Sequence, residues 1–365
     1  MADCNQKFFN VDELILPIQM SDKKTIFSFD MGGSLCKIAY AVPSEEDNKR
    51  TKICMLTFEN HDFREAAEFM KAEIIEKGRK DTEIQAIGLG IGSRTDKQTF
   101  REVVKVEAEL SDEFQAFSTA FSYMLKNMKE EDYLHPYTDV QLPPRDAMGY
   151  PPLSQRLLRI SEEIKSRKSI YPALLGFCGS GLGFLAVDEN GEFEICGGSM
   201  KAGLFYLAMG CQLTGVKSYD ELYELAEKGD ATVINTTILD FQNVEDYGEH
   251  NISKMTDSMP FVFEAVPFGN IIRKKVSNPK KEDLARALLH ATCEEIVTWS
   301  TVIAREFRTN TIYLAGSFLK NNELAKKYLE RLPMISAYFG EPIRIRYIKF
   351  EPYMGVLGAL ISKLI

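Results

Sequence analysis

The sequence lacks any long, uninterrupted apolar run. A membrane-spanning helix requires about 18 apolar residues, and no segment approaches that length. Residues 1–20 contain acidic side chains and have no basic stretch ahead of their apolar part. A secretory signal peptide has the opposite arrangement, with basic residues in front of an apolar segment. The sequence therefore predicts a cytoplasmic protein that does not insert into a membrane.

Cysteines at metal-binding or redox spacing are also lacking. The seven cysteines form no C-x-x-C pair, and most of them lie within apolar runs. An odd number without such pairs argues against a disulfide framework and against a zinc knuckle. The four histidines show no ligand spacing either. We expect a reducing compartment, no transition-metal site and no catalytic cysteine.

Positive charge is in short supply. Lysine and arginine number 44 against 53 acidic residues, which gives a formal net charge of -9. A negative average potential disfavours partners that are bound through phosphate neutralisation, so no nucleic-acid partner is predicted. The 365 residues, of which 45% are hydrophobic, exceed what one core usually supports. Two domains, or one duplicated domain with a cleft, are expected.

A glycine-rich turn near the N-terminus is the first feature that points to chemistry. The runs TIFSFD and LCKIAYAV flank MGGS, a pattern typical of a β-hairpin. Glycine has no Cβ, so consecutive backbone N–H groups in such a turn can approach a phosphate. Asp30 precedes the turn and could hold Mg²⁺ through water, while Ser34 and Lys37 could reach phosphate oxygens. Taken alone, a structural hairpin explains the turn equally well.

The turn differs from the two commonest phosphate-binding motifs. It joins strand to strand, whereas a Walker A loop and a dinucleotide-binding turn both lead from a strand into a helix. Neither G-x-x-x-x-G-K-[ST] nor a G-x-G-x-x-G turn between strand and helix is present in the sequence. A P-loop or dinucleotide fold is therefore excluded.

The second half of the chain repeats the plan of the first, with ALLGFC, the turn GSGLG and FLAVDE. Self-similarity of this kind predicts duplicated lobes. We divide the chain into an N-terminal extension (residues 1–24), a first lobe (25–135), a connection (136–171) and a second lobe (172–365). Phenylalanines at helical spacing predict a helix over 112–127. Further along the chain we expect a strand that ends at Gly316-Ser317. We also expect a last helix that has Gly355 and Gly358 on one face.

The two turns and the later glycines together resemble the actin, hexokinase and Hsp70 superfamily. This resemblance implies an α/β, two-lobed actin-like ATPase (ribonuclease H-like) fold with a central ATP cleft. Within the superfamily, nearly the whole chain is similar to the eukaryotic-type (type II) pantothenate kinases. The strings that carry the similarity are FSFDMGGSLCKIAY, LLGFCGSGLGFLAV, PFGNII, KEDLARALLHAT and GSFLKNN.

The resemblance implies phosphorylation of the primary hydroxyl of pantothenate, the first step toward coenzyme A, with ATP and Mg²⁺. It also implies a homodimer and inhibition by acyl-CoA. The general base would be Glu113, in the context DEFQA, with Asp112 or Glu109 as substitutes. The implied contacts to phosphate or nucleotide are Asp30, Gly32, Gly33, Ser34, Lys37, Gly179, Ser180, Gly181, Gly316, Ser317, Gly355 and Gly358. The implied contacts to the acceptor substrate are Ser180, Gly183, Glu194 and Ala265, and Asp30 would hold Mg²⁺ through water.

Three positions depart from the family pattern. Gly183 stands where a serine is expected, Glu194 where a substrate-binding arginine is expected, and residues 199–204 read SMKAGL instead of S-L-G-G-G-T. Arginine is a multidentate donor and carboxylate only an acceptor, so Glu194 cannot make the same contact. A second carboxylate close to Glu113 would favour the protonated form of one of them, and Lys201 is a candidate to restore a positive charge.

Three functions therefore stay open. The first is an active kinase for pantothenate or a pantetheine-like alcohol. The second is a catalytically impaired paralogue that binds nucleotide or acyl-CoA as a regulatory module, which the three departures favour. The third is a sugar kinase of the same superfamily, which the absence of a cysteine-rich zinc motif disfavours.

Overall fold

A computed structural model describes residues 11–20, 24–32, 35–44, 49–59, 63–76, 82–90, 92–137, 140–241, 252–320 and 322–365. They form two compact units. The first takes in the described residues up to Leu134, with Val187–Phe193 and Lys349–Ile365, and the second takes in His135–Ala186 and Glu194–Ile348. The predicted second lobe contained the last helix, but that helix packs against the first sheet and belongs to the first unit. The predicted connection, 136–171, is part of the second unit.

The first unit is built on a six-stranded mixed sheet. Its strands are β1 (Val11–Leu16), β2 (Lys24–Met31), β3 (Leu35–Pro43), β4 (Thr51–Glu59), β5 (Glu83–Leu89) and β6 (Ala108–Leu110). The order is β1-β4-β3-β2-β5-β6, antiparallel from β1 to β2 and parallel from β2 to β6. The predicted hairpin is confirmed as β2 and β3, which pair Asp30 with Lys37.

Helices cover both faces of this sheet, which explains why its central strand β2 is buried from Thr25 to Met31. They are α1 (Phe63–Phe69), continued by a π-helical turn (Met70–Glu76), α2 (Gly92–Thr95), α3 (Lys97–Val104), α4 (Glu113–Asn127), α5 (Glu130–Tyr133) and α15 (Met354–Leu364), which follows a 3₁₀ turn (Glu351–Tyr353). On one face Phe29 stacks on Phe100 with ring centroids 4.6 Å apart. On the other face the Ser28 hydroxyl donates to the Val356 carbonyl at 2.6 Å.

The second unit contains a five-stranded sheet and a small two-stranded sheet. The strands are β7 (Ala173–Cys178), β8 (Leu182–Val187), β9 (Phe193–Ser199), β12 (Thr311–Ala315) and β13 (Arg344–Tyr347), with β10 (Thr236–Thr237) and β11 (Glu264–Val266) forming the small sheet. The helices are α6 (Gln155–Ser166), α7 (Gly203–Thr214), α8 (Tyr219–Lys228), α9 (Ala231–Ile234), α10 (Ile252–Ser258), α11 (Gly269–Arg273), α12 (Lys281–Glu306), α13 (Glu323–Leu329) and α14 (Leu332–Ala337), with a 3₁₀ turn at Ile238–Phe241. Helix α12 supplies much of the core, including buried Leu289, Cys293 and Ile296.

The two units repeat one topology. Their strands run β4-β3-β2-β5-β6 and β9-β8-β7-β12-β13, so that in each unit the first strand of the repeat lies at the centre. In both, the strands that lie beyond this central strand, β5-β6 and β12-β13, run parallel to it. The predicted α/β class with duplicated architecture is confirmed. Within the described ranges, no helix has the length and apolar character needed to cross a bilayer.

Candidate phosphate-binding and catalytic site

The β2–β3 hairpin ends in a buried carboxylate with a cationic partner. Asp30 is only 7% exposed, and its Oδ2 lies 3.0 Å from Nζ of Lys37. The Gly32 N–H donates to the Leu35 carbonyl at 3.0 Å, which closes the turn. Gly33 and Ser34 lie outside the described residues. The hairpin therefore brings together Asp30, Gly32 and Lys37 of the predicted first phosphate loop.

The glycines after β5 allow the backbone to approach this carboxylate. Gly90 has φ +75°, and a Cβ at this position would lie 2.6 Å from Oδ1 of Asp30. A Cβ on Gly92 would lie 2.6 Å from Cβ of Met31. Parallel β2 and β5 end at the same edge of the sheet, so the two segments meet there. The contact of Gly90 with Asp30 is visible only in the structure.

Glu113 opens helix α4 at the same end of the sheet. Asp112 caps the helix by accepting from the Gln115 N–H at 2.9 Å. Although the Glu113 side chain reaches solvent, the surrounding protein partly desolvates its carboxyl group and raises its pKa. The Asp30 carboxylate raises that pKa further, Lys37 opposes the rise, and Asp112 adds to it. The charges of Asp30 and Lys37 thus act on the Glu113 carboxyl group, and its role as the base stays a prediction.

The two substitute bases have other contacts. Asp112 is the N-cap of α4, and Glu109 forms an ion pair with Lys363 at 2.7 Å on the last helix. The pKa of Glu113 is raised, and a raised pKa brings a carboxyl group closer to the range useful for proton transfer. Of the three candidates, Glu113 fits the role of base best.

The hairpin end also suits a magnesium ion. Mg²⁺ usually keeps several waters and takes one or two carboxylates together with substrate phosphates. Asp30 presents one such carboxylate, with one oxygen held by Lys37. Among the described residues, no three His, Cys, Asp or Glu side chains cluster as a metal-binding group. Asp30 offers one carboxylate for such a contact, and Mg²⁺ held there through water stays a prediction.

In the second unit, the Gly179–Gly181 turn packs against the start of helix α7. The turn is closed by a hydrogen bond from the Gly179 N–H to the Gly181 carbonyl at 2.9 Å. The N–H groups of Gly203 and Leu204 donate to the carbonyls of Gly179 and Ser180 at 3.0 and 3.2 Å. A Cβ on Gly203 would lie 2.6 Å from the Gly179 oxygen. Gly203 is a residue that the sequence reasoning missed, although its glycine in SMKAGL was a visible signal.

The Gly316-Ser317 turn meets the same loop. Gly316 has φ +122°, and a Cβ there would lie 2.2 Å from the Cys178 carbonyl oxygen. That oxygen accepts the Phe318 N–H at 2.9 Å. A Cβ on Gly179 would lie 4.0 Å from Oγ of Ser317. The parallel pairing of β7 with β12 thus brings the predicted second phosphate loop and the predicted adenosine-side turn together.

The glycines of the last helix contact protein within the first unit. A Cβ on Gly358 would lie 1.7 Å from the Ala116 carbonyl oxygen of α4, whereas a Cβ on Gly355 would lie 3.6 Å from the Phe117 ring. Gly358 is therefore required for the close packing of two helices. Contact of either glycine with a nucleotide stays a prediction.

The four residues predicted to contact the acceptor lie in four different elements of the second unit. Ser180 is an exposed residue of the Gly179–Gly181 turn, and Gly183 lies in β8, where a Cβ would be 2.2 Å from the Phe177 ring. Glu194 is an exposed residue of β9, and Ala265 is an exposed residue of β11. Lys201 forms an ion pair with Glu295 of α12 at 3.1 Å.

The two units share one strand order, with a glycine turn after the central strand of each, which is the duplicated α/β architecture that the sequence predicts. Solved structures of similar fold include the activator of 2-hydroxyisocaproyl-CoA dehydratase from Clostridium difficile with bound ADPNP, at TM-score 0.46 and 12% identity over 93% of this chain and 94% of that one. A ROK family glucokinase from Streptomyces griseus, in complex with glucose and AMPPNP, has TM-score 0.44 and 12% identity over 93% and 98%.

The sequence profile of the Fumble family matches residues 26–362, so the chain belongs to this type II pantothenate kinase family. Pantothenate kinase 2 and pantothenate kinase 1 of Arabidopsis thaliana are each 25% identical to it, over 96% and 92% of this chain. A 4'-phosphopantetheine phosphatase of Mus musculus is 21% identical over 92% of this chain. The chain spans 40%, 85% and 40% of the length of these three relatives.

Proposed function

We propose that this chain is an ATP-dependent kinase that phosphorylates the primary hydroxyl of pantothenate, with Glu113 as the general base. The observation that carries the proposal is the placement of Glu113 at the hairpin end, where the charges of Asp30 and Lys37 act on its carboxyl group. Family membership supports the reaction class, and relatives at 25% identity carry the name pantothenate kinase.

In the proposed reaction the acceptor hydroxyl oxygen forms a bond to the γ-phosphorus, and its proton passes to the Glu113 carboxylate. The bond between the γ-phosphorus and the bridging oxygen breaks, and its electron pair leaves on ADP. Lys37, close to the turn, offsets negative charge on the phosphate oxygens. Mg²⁺, when held near Asp30, would neutralise charge on the β- and γ-phosphates.

The second unit offers further candidate contacts to a nucleotide. The carbonyls of Gly179 and Ser180 are bonded to the first turn of α7, and the Gly179 N–H is bonded to the Gly181 carbonyl, so the proposal assigns phosphate contact to the N–H groups of Ser180 and Gly181. Ser317 lies beside Gly179, which suits a hydroxyl contact on the nucleotide side. The proposal includes ATP binding by the Gly179–Gly181 turn and the Gly316-Ser317 turn. It also includes recognition of pantothenate through Ser180 and Ala265.

A second candidate is a catalytically impaired paralogue that binds nucleotide or acyl-CoA. The observation that favours it is the packing of Gly183. The Phe177 ring occupies the space that a side chain at this position would need, so the missing serine hydroxyl cannot be replaced without repacking. Glu194 likewise offers an acceptor where a donor was expected.

A coupled phosphorylation assay tests the first candidate. The purified chain, Mg-ATP and pantothenate should release ADP and form 4'-phosphopantothenate, and Glu113→Gln should lower kcat by about 10²–10⁴-fold, the usual contribution of a general base. Glu109→Gln is the matched control because it removes an exposed carboxylate that is paired with Lys363. Tight ATP binding without transfer to pantothenate or pantetheine would favour the second candidate.

A further inference from the structure

A buried polar network in the second unit lies behind the strand that carries Ala265. Glu264 of β11 has a side chain only 4% exposed, and its Oε1 lies 2.6 Å from Nδ1 of His290 on α12. Its Oε2 accepts a hydrogen bond from the side-chain amide of Asn235. The Arg331 guanidinium lies 3.7 Å from Oε1. One carboxylate thus connects three other parts of the unit to β11.

The charge states in this network follow from burial. Burial raises the pKa of Glu264, but the hydrogen bonds from His290 and Asn235 and the charge of Arg331 outweigh it and lower the pKa. Burial lowers the pKa of His290, although Glu264 opposes this. A neutral imidazole therefore donates its Nδ1–H to an ionised carboxylate.

Asn235 holds the segment 264–268 at both ends. Its Nδ2 donates to Glu264, and its Oδ1 accepts the backbone N–H of Phe268 at 2.8 Å. The Asn235 carbonyl in turn accepts from the Asn270 amide at 2.8 Å. Both asparagines are fully buried. The segment is therefore fixed by side chains at its first and last residues.

The middle of the same segment faces solvent. Ala265 and Pro267 are exposed, and Val266 is 44% exposed although it is apolar. The strand pairing that holds β11 is short and irregular, since β10 has two residues and the register shifts between them. Its position thus depends on the side-chain contacts of Glu264 and Asn235 more than on the β-ladder.

We propose that Glu264, His290 and Asn235 are positioning residues that fix the 264–268 segment so that Ala265 contacts the acceptor alcohol. This inference rests on the proposed function, which places Ala265 at the acceptor. A misplacement of about 1 Å at a positioned group can cost on the order of 10²-fold in rate or affinity. Loss of the network should therefore weaken acceptor binding and leave nucleotide binding unchanged.

The chain offers a matched control in Glu294. This residue lies one turn further along α12 and accepts a hydrogen bond from the Tyr328 hydroxyl, so it is also a buried, bonded glutamate. Within the described residues no hydrogen bond or ion pair joins it to the 264–268 segment, and it acts on Glu264 only through its charge. Glu264→Gln and Glu294→Gln make the same chemical change in the same core, and only the first breaks the connection to β11.

The test is isothermal titration of the full chain with pantothenate, in the presence of a non-hydrolysable ATP analogue. Glu264→Gln should raise the pantothenate Kd about 10–100-fold, with an unchanged Kd for the ATP analogue, while Glu294→Gln leaves both unchanged. Amide exchange at Ala265–Phe268 should become faster in Glu264→Gln alone. An unchanged pantothenate Kd in Glu264→Gln, or an equal rise in Glu294→Gln, would overturn the inference.

A second pair of variants covers the case in which Glu264→Gln does not fold. His290→Asn keeps an N–H donor near the place of Nδ1, whereas His290→Leu removes it. We expect tighter pantothenate binding in His290→Asn than in His290→Leu, and equal affinities would contradict the inference. Because titration measures binding without transfer, a wild-type chain that binds pantothenate but forms no product counts against the proposed function alone. A wild-type chain that binds no pantothenate overturns both.

Discussion

Gly358 on the last helix faces the carbonyl oxygen of Ala116 on α4 so closely that a Cβ would lie 1.7 Å from that oxygen. The neighbouring Gly355 has an ordinary contact, 3.6 Å to the Phe117 ring. Helix α4 begins with Glu113, so this helix pair supports the residue proposed as the base. The sequence places both glycines on one face of the helix, but only Gly358 has a neighbour that leaves no room for a Cβ.

Gly358→Ala should lower the free energy of unfolding by about 2–3 kcal/mol, because an inserted methyl group forces the two helices apart. Gly355→Ala should not lower it, because a Cβ there makes only an ordinary van der Waals contact with the Phe117 ring and alanine favours a helix more than glycine does. Urea denaturation followed by circular dichroism measures both. Equal effects of the two variants would show that the close approach of α15 to α4 does not hold in solution.

The raised pKa of Glu113 predicts how kcat falls at low pH. A general base must be ionised, so kcat should fall as the pH drops through a pKa above the ordinary value of 4.5. Lys37 opposes the rise in that pKa, and Lys37→Met should therefore move the acid limb of the residual activity to higher pH. The measurement is kcat against pH for the wild-type chain and the variant.

Lys363→Met is the control for this shift. Lys363 pairs with Glu109, and it is not among the charges that act on Glu113. Its removal should leave the acid limb in place. A limb that moves equally in both variants would mean that general loss of positive charge, rather than the charge beside Asp30, sets the pKa of Glu113.

Gly183→Ser should not restore an acceptor contact. A Cβ at this position would lie 2.2 Å from the Phe177 ring, so the serine should cost about 1–3 kcal/mol of unfolding free energy through overpacking. Phe177→Leu in the same chain should recover part of that loss by making room. Thermal unfolding of the single and double variants gives the measurement. Tighter pantothenate binding by Gly183→Ser alone would contradict this account.

A substitution at Gly179 tests whether the Gly179–Gly181 turn binds phosphate or is only a structural turn. A Cβ there has space, with Oγ of Ser317 4.0 Å away, so Gly179→Ala should keep the stability of the fold. If backbone N–H groups of this turn hold phosphate, the methyl group should block close approach and weaken ATP binding about 10-fold or more. Titration with ATP measures the change.

Gly316→Ala is the contrasting variant for that experiment. Its φ of +122° and a Cβ 2.2 Å from the Cys178 oxygen make alanine strained, so this change should lower stability as well as ATP affinity. Unaltered ATP affinity in a folded Gly179→Ala chain would indicate that the turn is structural only.

Much of the fold could be predicted because it depends on local pattern. The β2–β3 hairpin follows from two β-rich runs around MGGS, and α4 follows from phenylalanines at helical spacing after Asp112. The similarity between the two halves of the sequence predicted duplicated lobes, and the two units have a common strand order. Strand β1 was not predicted, since VDELIL pairs only with β4, which follows it at a distance along the chain.

The sequence by itself determined which residues are candidates for the chemistry: Asp30, Lys37, Glu113 and the glycine turns are all readable from spacing and resemblance. Only the tertiary structure decided which unit holds the last helix, why Gly183 has no room for a side chain, and how Asn235, Glu264 and His290 meet. These relationships join residues far apart in the chain. They depend on which surfaces pack together, and the repeat of apolar residues along a strand or helix does not specify its partner.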